Sequence, residues 1–274
     1  MSFSSISGTA ETAKSAKFIE RQSMSDYTIA ETFTIPSKGR IYGVPVNPEV
    51  KLRSMTTADE MKRVSHTDFP YKAMAELIDS CIVGDKPGIS AYDMCIGDYQ
   101  FLMHRLRVVT YGSSYKMAVK CPICDNIFIS DFDLDTLKVY EYDDSYDSLM
   151  EVSLPQTKAK IRLKMQTPRI IEGINTRKSE MMKKGGASAA DPTYILTLMA
   201  MIDTVNGESL PEPKLDNFVR RLPMMDANIL TQKYERFCNA IGVGNVCTIE
   251  CPNCKEKFST SFRLTTEFFR PSID

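Results

Sequence analysis

Two short cysteine pairs constrain this chain more than any other feature. Cys121-Pro122-Ile123-Cys124 and Cys251-Pro252-Asn253-Cys254 repeat one pattern at an offset of 130 positions, 251 − 121. Cysteines at i and i+3 of a tight turn can aim both sulfurs at one point, and the intervening Pro fixes a backbone dihedral that stiffens the turn. One pair supplies two ligands, whereas a closed structural zinc site takes four in a tetrahedron. Neither half of the chain carries an obvious second pair. The economical arrangement is one zinc ion shared by Cys121, Cys124, Cys251 and Cys254. Cys81, Cys95 and His104 are irregularly spaced and make poor local substitutes. Half the cysteines fall in such pairs within a long chain, which reads as metal spacing in a reducing compartment rather than as a disulfide framework. Cys81, Cys95, Cys238 and Cys247 read as small buried side chains.

The offset of 130 extends beyond the cysteines. Val119 and Ile249, Phe128 and Phe258, Phe132 and Phe262, Leu134 and Leu264, and Gly112 and Gly242 all obey it. The four phenylalanines read as core aromatics near the site. Upstream the matches continue with shifting offsets, as loop insertions produce. Phe33-Thr34-Ile35-Pro36 resembles Val152-Ser153-Leu154-Pro155, and Val50-Lys51-Leu52-Arg53 resembles Ile161-Arg162-Leu163-Lys164. The second pair alternates as half-buried strands do. Thr57 with Glu60 predicts a capped helix start, and Thr167-Pro168 predicts its counterpart. Leu77-Ile78-Asp79 and Met201-Ile202-Asp203 both read as helical.

The expected fold is α+β and internally duplicated. Two pseudo-twofold-related halves, 30–140 and 149–269, each run strand, strand, three helices, then a hairpin bearing the knuckle. A shared four-cysteine, zinc-ribbon-like site joins them. Residues 1–29, rich in Ser, Thr and Ala at the start and without an apolar leader core, read as a flexible arm. Glu141 to Asp147 reads as the connection, and Met181 to Pro192 as a loop.

Chemistry beyond the metal finds little support. Net charge is −1, so no global field draws the chain to nucleic acid or to an anionic membrane. Lysines and arginines near the knuckles (Lys120, Lys255, Lys257, Arg263) are opposed by Asp125, Asp131, Asp133, Glu250 and Glu256. That mixture argues against a zinc-ribbon nucleic-acid-binding protein, the main alternative, because phosphate contacts require local positive charge. No apolar run reaches the roughly 20 residues of a membrane span. The two histidines, His66 and His104, sit in no catalytic signature and read as surface or satisfied polar residues. Gly242-Val243-Gly244 lacks the third glycine of a dinucleotide fingerprint. A four-thiolate zinc leaves no position open for water. The expectation is a protein that is not an enzyme and has no small-molecule substrate. Its 16 methionines read mainly as core filling and secondarily as adaptable contacts.

A family resemblance rests on Ile35-Pro36-Ser37-Lys38-Gly39-Arg40-Ile41-Tyr42, on Leu52-Arg53-Ser54-Met55-Thr56-Thr57, on Ile96-Gly97-Asp98, on Tyr111-Gly112 and on the first cysteine pair. Together these resemble the baseplate hub subunit, or hub assembly protein, of T-even-type contractile-tailed bacteriophages. The resemblance covers most of 30–140 and the second half more loosely. It implies a late viral protein that helps build the hub of the tail baseplate, as an assembly chaperone or as part of the particle. Its partners would be other hub or tail proteins, and its places the host cytoplasm and the tail baseplate. The resemblance brings no catalytic residues. Cys251 and Cys254 follow from the internal repeat alone.

Overall fold

A computed structural model describes residues 29–64, 67–185, 190–261 and 266–269. Residues 1–28 of the arm, His66, Phe262, Arg263 and Leu264 lie outside the described residues. Strand β1 (Ala30–Thr34) pairs antiparallel with β2 (Glu49–Arg53), with Phe33 opposite Val50. Along β2 the apolar Val50 and Leu52 face the core while Glu49 and Lys51 face solvent, the period of two expected of a half-buried strand. Helix α1 (Thr57–Arg63) opens on a capping box of Thr56 with Asp59, one residue before the predicted Thr57 and Glu60. The register follows from the carboxylates. Asp59 is buried and ion-paired to Arg53 at 2.6 Å, whereas Glu60 is taken by Arg63 on its own helix.

Helices α2 (Pro70–Cys81) and α3 (Ile96–Tyr111) follow, then the hairpin β3 (Ser114–Lys120) and β4 (Ile127–Asp133). Strand β5 (Val139–Tyr140) ends this half, and the acidic connection holds a short helix, α4 (Tyr146–Leu149). The rest of the chain runs β6 (Glu151–Ser153), β7 (Lys160–Leu163), α5 (Pro168–Gly185), α6 (Thr193–Met201), β8 (Ile202–Val205), α7 (Glu212–Arg220) and α8 (Met224–Cys238). It closes with β9 (Gly242–Val243) and the hairpin β10 (Val246–Glu250) and β11 (Lys257–Ser261), then a 3-10 turn at Thr266–Phe269. The architecture is mixed α and β, and every strand pairing among the described residues is antiparallel.

The second half departs from the predicted order at β8, α7 and β9. Ile202–Asp203 is strand rather than helix, because Leu163 of β7 offers a partner to Ile202 and the chain leaves α6 one residue earlier. At the matching place in the first half, just after α2, the described residues show a single bridge, Leu52 to Ile82. A fourth helix, α7, also intervenes in the second half. The predicted loop at Met181 to Pro192 begins late, since α5 continues to Gly185, and 186–189 lie outside the described residues.

Two apolar cores result. The first gathers Ile35, Val50, Leu52, Leu77, Ile78, Leu102 and Leu106. The second gathers Leu154, Ile161, Leu163, Leu198, Leu230 and Phe237. Each core also has a buried carboxylate at the third residue of a helix. In α3 Asp98 accepts the Ser37 N–H at 2.9 Å, the Tyr42 hydroxyl at 2.6 Å and the Ser37 hydroxyl. In α8 Asp226 accepts the N–H groups of Gln156 (3.0 Å) and Thr157 (2.8 Å) and the Thr157 hydroxyl. Both loops so held continue into a lysine with positive φ, Lys38 at 53° and Lys158 at 56°.

The halves are tied by chain that crosses between them. Phe268 and Phe269, from the end of the second half, are 1% and 0% exposed inside the first core. Burying two such rings contributes about 2–3 kcal/mol each. The buried Arg107 guanidinium of α3 anchors this strap by donating to the Phe268 carbonyl at 3.2 Å, and it also bonds the carbonyls of Gly112 and Ser114. In the other direction Tyr146, just past the first half, packs on Phe237 in the second core with ring centroids 5.1 Å apart. Strand β5 pairs with β9, and Glu172 of α5 caps α2 by accepting the Tyr71 N–H at 3.0 Å.

Candidate metal centre

Each cysteine pair sits at the tip of a two-stranded hairpin whose register fixes where the sulfurs go. The ladder ends with Lys120 opposite Ile127 in one hairpin and Glu250 opposite Lys257 in the other. Beyond it the Cys121 N–H donates to the Asn126 carbonyl (2.9 Å), and the Asp125 N–H returns to the Cys121 carbonyl (3.1 Å). The same two bonds recur 130 positions later, Cys251 to Glu256 at 3.0 Å and Lys255 to Cys251 at 2.9 Å. Both turns need a left-handed residue after the second cysteine, and they place Asp125 (φ 57°) and Lys255 (φ 62°) there. Asp tolerates that region better than Lys, whose Cβ is strained by it.

The two tips meet. The sulfurs of Cys121, Cys124, Cys251 and Cys254 all lie within 4.8 Å of one another, and among the described residues this is the one cluster of metal-ligating side chains. Cys121 Sγ is 3.7 Å from Cys254 Sγ, and Cys124 Sγ is 3.6 Å from Cys251 Sγ. A tetrahedron with metal–sulfur bonds of about 2.3 Å has edges of about 3.8 Å. The spacing therefore fits a four-thiolate metal site and is far too long for disulfides, whose sulfurs stand about 2.05 Å apart. Cys121 and Cys251 are buried, while Cys124 and Cys254 are half-buried at the outer edge of the cluster.

The surroundings favour thiolate at one corner and resist it at another. The Asn126 backbone N–H, followed by the Asn253 side-chain amide (3.6 Å from Cys124 Sγ), holds the Cys124 thiol down at about 6. Cys254 is pushed up to about 12: the Glu256 N–H favours its thiolate, but burial and hydrogen bonding with neighbouring sulfurs outweigh it. Four thiols this close cannot all ionise without a cation among them, and a bound dication removes that obstacle. Asn253 is the contributor that cysteine spacing alone does not disclose, although it stands inside the second pair.

The remaining candidates are placed elsewhere. Cys81 and Cys95 are buried as expected, whereas Cys238 and Cys247 are only half-buried. Burial raises the thiol of Cys81 to about 11 and that of Cys238 to about 12. Phe128 is half-buried opposite Val119, and Phe132 opposite Tyr115, on the hairpin face rather than inside either core. Around the tips the charge is mixed, and Lys120 is held by Asp125 at 2.7 Å.

His104 is neither at the surface nor at the metal cluster. It is buried on α3, its Nε2 lies 3.1 Å from the Leu134 carbonyl, and its Nδ1 has no partner. Burial, then the Arg105 charge, lowers its pKa from 6.5 to about 4, against weaker opposing effects of the Leu134 carbonyl and Asp135. Between those values the unfolded chain binds the proton and the folded one does not, so stability rises with pH across that window. The full difference, 6.5 − 4, corresponds to about 3 kcal/mol. His104→Gln keeps a donor for Leu134 and removes the titration. Denaturant melts at pH 7.5 and 5.0 are expected to show a smaller acid loss in the variant than in the parent chain.

Neither the curated proteins nor the solved structures contain a match to the chain. One family model, described as T4 bacteriophage base plate protein, matches residues 27–270 and so takes in both hairpins and everything between them. No helix among the described residues is long and apolar enough to cross a membrane. The chain belongs to the T4 bacteriophage base plate protein family.

Proposed function

We propose that this baseplate protein is a non-catalytic hub subunit or hub assembly factor whose two halves are clamped by one structural zinc ion. The observation that carries the proposal is the convergence of four sulfurs from knuckles 127 positions apart in sequence, 251 − 124. Zinc is the favoured ion because closed tetrahedral sites of four thiolates suit it and leave no place for a reacting water. Bound there, it would neutralise the thiolates and cross-link the hairpins. The halves 30–140 and 149–269 are read as an ancient duplication, supported by the repeated knuckle bonds, the paired helix aspartates Asp98 and Asp226, and the left-handed lysines Lys38 and Lys158. The second half would then have gained β8, α7 and β9. The hub assignment rests on the resemblance of the first half, and assembly would take place in the host cytoplasm.

Elemental analysis of purified protein tests the clamp. One zinc per chain is expected, with the four cluster thiols protected from alkylation while the metal is bound. Two zincs per chain would mean that each knuckle recruits local ligands. For the hub assignment, labelled protein is expected at the centre of the baseplate or on a hub precursor, and a peripheral location would refute it.

We assign the partner surface to the first hairpin. Ile123, Ile127 and Ile129 are 58%, 71% and 73% exposed on its outward face. Their counterparts at an offset of 130 are Asn253, Lys257 and Ser259, as a solvated face would have. A three-isoleucine patch on the first hairpin, against the single exposed Val246 described on the second, is what contact with another tail protein would select. The double variant Ile127→Lys with Ile129→Ser should change stability by no more than about 0.5 kcal/mol, because both side chains are exposed. It should keep its zinc and lower incorporation into tails roughly tenfold or more, measured by immunoblot of purified particles.

A further inference from the structure

We infer that the four-cysteine cluster has a second, covalent state: when the metal is withdrawn under oxidation, disulfides form between the knuckles, Cys121 with Cys254 and Cys124 with Cys251, rather than within them. The inference rests on the same convergence of sulfurs as the zinc reading, but it concerns what those thiols do once the metal has gone.

The geometry selects the pairing. Two sulfur pairs that stand in hydrogen-bond alignment lie between the knuckles, at 3.7 Å for Cys121 and Cys254 and 3.6 Å for Cys124 and Cys251. Closing either gap to about 2.05 Å asks for a shift of about 1.6 Å shared by two hairpin tips. Bonding within a knuckle would instead work against a turn already fixed by its own hydrogen bonds. The Ile123 N–H points at Cys121 Sγ at 3.5 Å, and the Asp125 N–H closes on the Cys121 carbonyl at 3.1 Å. The consequence for the fold differs sharply between the pairings. A bond between knuckles joins residues 133 or 127 positions apart and keeps the halves tied. A bond within a knuckle joins neighbours and leaves the halves free to separate.

The chemistry balances with a small-molecule disulfide as oxidant. A cluster thiolate attacks oxidised glutathione and expels one glutathione thiolate. The facing cysteine then attacks the mixed disulfide and expels the second. Each bond between knuckles thus consumes one oxidised glutathione and yields two reduced ones, with the two cysteine protons passing to the products. A phage particle moves from a reducing host interior to an oxidising exterior on lysis. A cluster that exchanges a metal cross-link for a disulfide cross-link would hold the same two hairpins together in both places.

The test uses the full chain, a zinc chelator and oxidised glutathione, followed by non-reducing peptide mapping. Peptides linking Cys121 to Cys254 and Cys124 to Cys251 are expected, with a melting temperature near that of the zinc-loaded protein that falls on adding dithiothreitol. The variant Cys121→Ala with Cys254→Ala should still form the single bond between Cys124 and Cys251. Predominant bonds within the knuckles, glutathionylation without closure, or disulfides between chains would each overturn the inference. Protein that purifies without metal yet forms the cross bonds would remove the zinc reading and leave this one standing. Protein that binds one zinc but oxidises within its knuckles would do the reverse.

Discussion

Cys124→Ser and Cys254→Ser are each expected to release the metal and to lower the melting temperature by about 10–15 °C, to nearly the same extent. A metal shared by two hairpins closes a loop of 127 positions, 251 − 124, and such a cross-link is worth roughly 4–5 kcal/mol through the unfolded chain. For a chain of this size each kcal/mol moves the midpoint by about 2–4 °C. Equality of the two effects is the informative part, because the variants remove ligands from different halves. If each knuckle bound its own ion, either substitution would spare the other site and half the metal would remain. Cys247→Ser serves as the control. Its sulfur is half-buried, contacts the Thr260 carbonyl at 3.5 Å and lies outside the cluster, so the metal should stay. Metal content by mass spectrometry, thermal melts and complementation of tail assembly, read on the same preparations, decide the matter. Loss of assembly in proportion to lost stability is the structural outcome. A cysteine variant that kept metal and stability yet abolished assembly would assign the thiols a direct role and end the clamp interpretation.

The cluster itself was legible in the sequence because its ligands obey a short-range rule: two residues between cysteines, and a Pro that stiffens the turn. That the two pairs would meet was an inference from ligand number, and the sulfur distances agree with it. The strands β1 and β2 and the helices α2 and α3 were legible too, since alternation and helical spacing are written locally. What escaped depends on residues distant in sequence. Ile202 follows an apolar helix and reads as its last turn, but Leu163 supplies a strand partner and the backbone is paid in ladder bonds. The register of α1 turned on Arg53, which selects Asp59 over Glu60. Helix α7 carries a local signal, with Pro211 before it and Leu215, Phe218 and Val219 at helical spacing, but the internal repeat predicts no helix there because the first half has no counterpart. Nothing local in Phe268 and Phe269 says that they belong to the core of the other half. That placement needs Arg107, 161 positions away.

The cysteine cluster is not the only joint between the halves, and Gly97→Ala is expected to show it. Gly97 is the second residue of α3, and it lies against the chain just before β9. A Cβ there would sit 2.2 Å from the Ile241 carbonyl oxygen and 2.8 Å from its carbon. Both are backbone atoms, so no rotamer change relieves the clash and the two segments must move apart. The partner is equally constrained. Gly242 has φ +122°, and a Cβ on it would meet the Gly97 Cα at 2.8 Å. This contact adjoins the pairing of β5 with β9, where Tyr140 stands opposite Gly242, so separating the segments also strains that ladder. A cost of about 3 kcal/mol is expected, at the upper end of ordinary overpacking. In a chain of this length that is a fall of about 6–12 °C in melting temperature. The cysteine cluster is not part of this contact, so zinc content should be unchanged. Gly173→Ala is the matched control, a glycine inside α5 whose added Cβ would meet nothing within 4 Å. There the helix gains about 0.5–1 kcal/mol from a better helix former. Thermal melts of the two variants beside the parent chain therefore move in opposite directions. Equal and small shifts would mean that the glycine contact yields easily and that the metal, the crossing Phe268 strap and the Glu172 cap hold the halves without it.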